Sequence, residues 1–164
     1  MSAAALTFEK LGFDDLPFLL EVRNECREFL HDNRVFTLPE CERWFRETKP
    51  DFRIIRHRGE RIGYFRLTNY DPQDSSIYIG ADLHKDFRGR GLSRAAYGAF
   101  IPILKQSFGV STLKLEVLGH NTAARGLYQK LGFAEISRKK RFTMRNGEHV
   151  DSIAMQKKLS PDRV

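Results

Sequence analysis

The stretch from Ile77 to Phe100, IYIGADLHKDFRGRGLSRAAYGAF, decides the fold. It opens with the β-branched and aromatic content of a strand and closes on the apolar spacing of a helix, with two glycines among arginines at the junction. Glycines at 89 and 91 let the backbone take φ > 0 and come close to a ligand, while the unpaired N–H groups at the helix start face one point. Such a turn suits an anion. The helix dipole adds partial positive charge, and Arg88, Arg90 and Arg94 reinforce it, so a pyrophosphate is the natural guest. Taken alone, the segment also fits a plain glycine turn capping a helix, or a basic patch for nucleic acid. It is neither of two common nucleotide motifs. A Walker A loop needs a lysine after its last glycine, which Gly91 lacks, and the dinucleotide fingerprint needs glycine where Arg94 stands.

Outward from this stretch, short elements follow one another without repeats, low-complexity tracts or Pro/Gly/Ser linkers, so the expectation for residues 1–164 is a single domain. On the N-terminal side, ALTFEKL alternates as a strand, and FDDLPFLLEVRNECREFL reads as a helix with Asp14 as N-cap and Pro17 in its first turn. Thr37 and Glu40 have capping-box spacing ahead of a second helix that must stop before Pro50. FRIIRHRGERIGYFRLTN reads as two strands around Arg58-Gly59-Glu60, which with SSIYIGADL makes an antiparallel meander. On the C-terminal side, the helix begun at Gly91 should end at Gly109, with a bend at Pro102. STLKLEVL is then a strand, NTAARGLYQKLG a helix opened by Asn121 and closed by Gly132, and the remainder a hairpin turning at Asn146 and Gly147.

Bulk properties narrow the partners without choosing among them. A net charge of +7 points to anionic partners, whether nucleic acid, a phosphorylated cofactor, an acidic protein or a membrane surface. Met1 to Lys10 lacks a signal-peptide pattern and no apolar run is long enough to span a bilayer, so a soluble cytoplasmic protein with no membrane partner is expected. Cys26 and Cys41 form no CxxC pattern and no HxxxH or HxH pair occurs, so two packed thiols and no metal are expected. The run RKKRFTMR, Arg138 to Arg145, is the best case for nucleic acid, yet it alternates along a strand, and a charged sheet edge ordinarily serves to block aggregation.

A second motif follows about 25 residues after the glycine turn. Leu115 to Phe133, LEVLGHNTAARGLYQKLGF, is a strand leading to an asparagine and a helix with a tyrosine. Together RGRGLS and LEVxxxNxxARxLYxKLGF resemble the GNAT superfamily of acetyl-CoA-dependent N-acetyltransferases. The family's motif of Arg or Gln, two residues, Gly, one residue, and Gly or Ala maps onto Arg88, Gly91 and Ser93, with serine in place of the last small residue. The resemblance covers Ser76 to Phe133. It implies an α/β (α+β) GNAT fold: a mixed, mostly antiparallel sheet of six or seven strands, about four flanking helices, and a splayed strand pair that holds acetyl-CoA. The pantetheine arm would lie in that gap as an added strand does, with the pyrophosphate on Arg88, Gly89, Arg90, Gly91, Leu92 and Ser93.

The resemblance also implies roles at the reacting end. Tyr128 would protonate the departing thiolate, the Leu83 backbone would polarise the thioester carbonyl, and Asn121 would touch the pantetheine while capping its helix. Glu116 matches the proposed base of ribosomal-protein N-terminal acetyltransferases. Its place opposite Leu113, Leu115 and Val117 on an apolar strand suggests burial that would raise its pKa toward a useful value. Asp82 is the other carboxylate within reach of the acceptor, directly or through water. His84 and His120 flank the cleft, while His31, His57 and His149 show no partner pattern. For the acceptor, Arg23, Arg27 and Arg34 could hold phosphates of a nucleotide-linked amino sugar, with Asn24 beside them. The expectation is direct acetyl transfer to a small-molecule or peptide amine, with no nucleic acid, by a monomer or homodimer. The alternatives are a protein N-terminal acetyltransferase, or a non-catalytic acyl-CoA or nucleic-acid binding module.

Overall fold

The structure is a computed structural model that describes residues 5–144 and 146–161. Arg145 of the basic run and Met1 to Ala4 of the leader reading lie outside them. Seven strands form one sheet: β1 Leu6–Lys10, β2 Arg53–His57, β3 Glu60–Asp71, β4 Ser76–Leu83, β5 Thr112–Leu118, β6 Ala134–Thr143 and β7 His149–Lys158. Their spatial order is β1-β2-β3-β4-β5-β7-β6. Helices α1 Leu16–Glu25, α2 Leu38–Thr48, α3 Leu92–Phe108 and α4 Thr122–Lys130 complete the fold. Every neighbouring pair is antiparallel except β4 and β5. That parallel pair needs a crossover connection, which α3 supplies.

Strand alternation sorts side chains to two faces. Phe65 and Leu67 of β3, Ile77, Ile79 and Leu83 of β4, and Leu113, Leu115 and Val117 of β5 join Tyr97, Phe100 and Tyr128 from α3 and α4 in one buried cluster. Phe65 and Phe100 stack there at 4.4 Å between ring centroids. Burying a side chain of that size is worth roughly 1.5–3 kcal/mol, so this contact anchors α3 to the sheet. On the other face Tyr64 and Ile54 pack against Leu16, Leu19 and Val22 of α1 and Cys41 of α2. Cys26 and Cys41 are both buried free thiols.

Local signals explain most boundaries. Thr37 and Glu40 form the capping box of α2, and Lys49 ends that helix in the left-handed region at φ 48°. Arg58 and Gly59, at φ 52° and 81°, make the tight turn between β2 and β3. The helix α3 runs through Pro102 to Phe108, where the proline leaves the Gly98 carbonyl without its helical N–H. One cap differs from expectation. Asp15, not Asp14, is the N-cap residue of α1. Its carboxylate accepts the Gly12 N–H at 2.8 Å across a preceding 3-10 turn, a longer entry than the sequence pattern suggests.

Candidate active site

The strands β4 and β5 pair only over Ser76↔Thr112, Ile77↔Leu113 and Tyr78↔Lys114. Beyond that point β4 stays paired to β3 as far as Leu83, and β5 stays paired to β7 as far as Leu118. The two strands therefore part, and their facing edges lose their ladder. The His84 N–H donates to the Ile62 carbonyl at 2.8 Å, which makes Leu83↔Gly63 a pair that exchanges no hydrogen bonds. Leu83, and by alternation Ala81, thus turn N–H and C=O groups away from β3 into the gap. An extended ligand can pair with such an edge as a strand would.

At the mouth of the gap, Gly89 and Gly91 take φ of 75° and 74°. A Cβ at either would meet nothing within 4 Å, so the backbone angle, rather than crowding, requires glycine here. Gly91 is the N-cap of α3 and no side chain caps that helix. Its first N–H groups, those of Leu92 and Ser93 included, are left for an anion. The Leu92 side chain is core, 1% exposed, so this residue offers only its backbone.

Two buried phenols stand behind the gap. The Tyr97 hydroxyl donates to the Tyr128 hydroxyl at 3.4 Å, and their rings meet edge to face at 5.9 Å. Burial raises the Tyr128 pKa, against the Tyr97 hydrogen bond and the Arg66 charge, which lower it. Its proton is therefore retained at neutral pH and available to a leaving thiolate.

On the α1 face, a cavity of about 480 Å³ is lined by Leu19, Leu20, Phe29, Leu30, Phe36 and Trp44, with Arg23, His31, Arg66 and Glu116 among its polar groups. Arg66 lies directly across from Gly80, where a Cβ would fall 2.5 Å from its guanidinium. The glycine makes room for the cation. Asp82 is 6% exposed, and its Oδ2 lies 3.1 Å from Arg66 Nε. That contact is off the line of an N–H bond, so Arg66 Nε and Asp82 Oδ2 form an ion pair and, with the Tyr64 hydroxyl, remain without hydrogen-bond partners. Burial works against the Arg66 charge, but Asp82 and Tyr64 outweigh it and hold the guanidinium above its ordinary range.

The family model of the Acetyltransferase (GNAT) family matches residues 16–133. The chain belongs to this family. It is a GNAT N-acetyltransferase, an acyltransferase. It is 26% identical over 154 residues to the [Ribosomal protein bS18]-alanine N-acetyltransferase of Escherichia coli (strain K12), covering 94% of this chain and 98% of that one. In fold it is similar to the spermidine N-acetyltransferase of Vibrio cholerae solved with CoA and spermine, with a TM-score of 0.87 at 18% identity over 94% and 96% of the two chains. A ribosomal-protein-alanine N-acetyltransferase from Brucella melitensis gives a TM-score of 0.78 at 21% identity over 93% and 99%. The seven-stranded mixed sheet with four helices is thus the GNAT fold.

Within this GNAT chain, several residues stand differently from the sequence expectation. Glu116 is not buried: its side chain is 53% exposed, because β5 turns it toward the cavity rather than the core. Arg23 is no free phosphate clamp. Its guanidinium donates to the Arg34 and Asp32 carbonyls and lies 4.2 Å from the Phe36 ring; burial lowers its pKa. Arg34 is likewise spent on the Asp32 carboxylate, at 2.7 Å. Asn24 pairs with the connector too, donating to the Phe36 carbonyl at 3.0 Å and accepting its N–H at 3.1 Å.

Arg88 also departs from its expected part. Its Nε donates to the Leu83 carbonyl at 3.1 Å, and a terminal nitrogen contacts Cys26 Sγ at 2.9 Å. The carbonyl, without an in-sheet partner, draws the nearest donor, so the anion cradle is mainly backbone. Burial pushes the Cys26 thiol up to about 11 despite that neighbouring charge. Arg90 rests over the Phe87 ring at 5.6 Å. Asn121 caps α4, its Oδ1 accepting the Ala124 N–H at 3.3 Å, which leaves its amide nitrogen as a donor. Glu21, Glu25 and His84 bring ligand-type atoms within 4.8 Å of one another, but other contacts account for the cluster: a His84–Glu21 hydrogen bond at 3.2 Å and a Lys85–Glu25 ion pair at 3.9 Å.

Tyr97, Arg66 and Gly80 are site residues that the motifs do not contain. For Arg66 and Gly80 a signal existed, a cation in mid-strand and a glycine in the partner strand, but only the register puts them together.

Proposed function

We propose that this enzyme moves the acetyl group of acetyl-CoA directly onto the α-amine of a protein or peptide N-terminus, within a ternary complex. Acetyl-CoA supplies an acyl thioester, and the chain's edges fit it. The uncapped start of α3 with its two positive-φ glycines suits the pyrophosphate, and the open edge of Ala81 and Leu83 suits the amide-bearing arm. The Leu83 N–H polarises the thioester carbonyl, Asn121 donates to the arm, and Tyr128 hands its proton to the sulfur. Glu116, at the cavity end of β5, meets the incoming ammonium, whose proton must be taken up within the cavity before the amine can attack.

The observation that carries the acceptor class is the chemistry of the cavity. Its walls are mostly apolar, Arg23 and Arg34 are committed to the connector, and Glu116 is the carboxylate among its polar groups that is not tied to a guanidinium. A polyamine would place several positive charges beside Arg23, Arg34 and Arg66. A nucleotide-linked sugar would find its phosphate ligands already used. A single terminal ammonium on an apolar residue fits both constraints, and full-length similarity to the bS18-alanine enzyme agrees. The test is thiol release from acetyl-CoA with an alanine-starting peptide, spermidine, or a nucleotide-linked amino sugar. Turnover should be fastest with the peptide by at least tenfold; release only with either small amine would overturn the reading.

A further inference from the structure

The ring of His31, in the connector between α1 and α2, comes to rest among three strands that the sequence leaves far from it. Its Nε2 lies 2.7 Å from Ser152 Oγ of β7 and 3.9 Å from Glu116 Oε2 of β5, and its edge meets Phe142 of β6 at 5.2 Å. His31 and Glu116 both line the cavity. The serine and the carboxylate approach the same nitrogen, so this is not a nucleophile–base–acid relay, in which the carboxylate holds the opposite nitrogen. The Glu116 carboxylate beside Nε2 favours the neutral tautomer that carries its proton there. The other nitrogen, Nδ1, has no partner among the described residues and keeps its lone pair.

We infer that His31 is the group on which the acceptor's proton comes to rest, with the Glu116 carboxylate as its counter-charge. The ammonium N–H bond breaks and an N–H bond forms at Nδ1; the freed amine forms a C–N bond with the thioester carbon, the C–S bond breaks as the sulfur takes the Tyr128 proton, and the nitrogen's second proton replaces it on the Tyr128 oxygen through water. Charge is conserved at each step. The imidazolium that results gains the attraction of Glu116, and the proton leaves to solvent before the next turnover. Burial lowers the His31 pKa and Glu116 opposes that shift, with Arg66 of β3 adding to the lowering. The ring is therefore neutral and receptive at the start of a cycle. The remaining charges around it are Asp32 and Arg34 of its own connector, Arg23 of α1 across the cavity, and Lys139 of β6, which sits 5.5 Å over the Phe142 ring. Asp32 is engaged by both arginines, which leaves Glu116 as the carboxylate facing the imidazole.

This rests on reading the cavity as the acceptor site, and two measurements keep the two ideas apart. The first needs no acceptor: NMR titration of the ¹⁵N-labelled imidazoles, with the His31 signal assigned through His31→Gln. Replacing Glu116 by Gln should lower the His31 midpoint by about 0.5 pH unit or more, from the Coulomb energy at this distance; an unmoved midpoint would overturn the inference. The second follows kcat/KM for an alanine-starting peptide from pH 6 to 9.5. The His31→Gln enzyme, which keeps a donor for Ser152, should lose about 10²-fold at pH 7 and recover steeply as free amine appears. A profile parallel to wild type would also overturn it. If wild type ignores the peptide but the titration behaves as expected, the acceptor assignment fails and the His31–Glu116 pair stands.

Discussion

The turn that leads into α3 is made of backbone, whereas the connector that closes α1 onto α2 is made of side chains. In the turn, two positive-φ glycines and an uncapped helix start present N–H groups whatever the neighbouring side chains do. In the connector, Arg23 and Asn24 hold residues 32–36 by hydrogen bonds to main-chain atoms, and Phe36 is sandwiched between Arg23 and Arg34. On the proposed assignment of the turn to the donor and the connector to the acceptor, the difference teaches where each half of the reaction gets its precision. A common phosphate-bearing donor can be held by a backbone device, while an acceptor is selected by a side-chain lattice that substitution readily changes.

If that division holds, changes on the donor side should strike chemistry or cofactor binding and spare the acceptor, and the reverse on the other side. The largest effect belongs to Tyr128→Phe. It removes the hydroxyl proposed as the acid while keeping the buried ring, so kcat should fall about 10²- to 10⁴-fold, with acetyl-CoA affinity by calorimetry within about threefold. Near-normal kcat would show that another group protonates the thiolate. Next comes Asp82→Asn, at the centre of the sheet between the two sides. It strips the counter-charge from Arg66, and breaking a buried pair costs about 3–5 kcal/mol. Because the Arg66 side chain is 37% exposed, water screens part of this, and a loss of about 2 kcal/mol is expected in urea unfolding. A variant as stable as wild type would mean that Arg66 finds its partner in solvent.

How much of this was legible follows from the same contrast. The donor side is written locally: Gly89, Gly91, Asn121 and Tyr128 lie within two continuous motifs, and the φ angles and the cap they imply are satisfied within a few residues. The succession of elements along the chain, the meander and the tight turn at Arg58-Gly59 were legible for the same reason. The acceptor side depends on register. Nothing near Glu116 in sequence reveals that β5 turns it to a cavity rather than into the core, and its apolar neighbours suggested the opposite. His31 meets Glu116 and Ser152 across 85 and 121 residues, so no spacing pattern could pair them. The arginines of α1 and the connector, Arg23, Arg27 and Arg34, looked like phosphate ligands because composition shows charge but not commitment. Only the contacts show that Arg23 is already bonded.

Gly91→Val puts the donor side to a finer test. A β-branched residue at φ 74° carries a left-handed penalty of roughly 1–2 kcal/mol, which relaxation of the turn would exchange for misaligned N–H groups. Acetyl-CoA affinity should drop about tenfold, or ~1.4 kcal/mol, without change in the peptide KM. A peptide KM that rose in step would mean the two sides are coupled through the turn. Serine at position 93, where the family has glycine or alanine, is sharpened by the same assay: Ser93→Gly should stay within tenfold, and a larger loss would make its hydroxyl a phosphate ligand.

The smallest effect, and the one that decides whether the connector is a lattice, comes from Asn24→Ala. Asn24 holds Phe36 by two hydrogen bonds, one through each end of its amide. Each is worth about 1 kcal/mol net, and water can replace part of them because the contact is only part-buried. The connector would loosen without unfolding, since the core beneath it rests on Leu16, Leu19 and Val22 rather than on this residue. Peptide KM should therefore rise about fivefold, while kcat and acetyl-CoA affinity stay within twofold. An equal loss in kcat would place Asn24 against the reacting amine. No change at all would leave Arg23 as the main holder of the connector, and Arg23→Met should then raise the peptide KM by more than Asn24→Ala does.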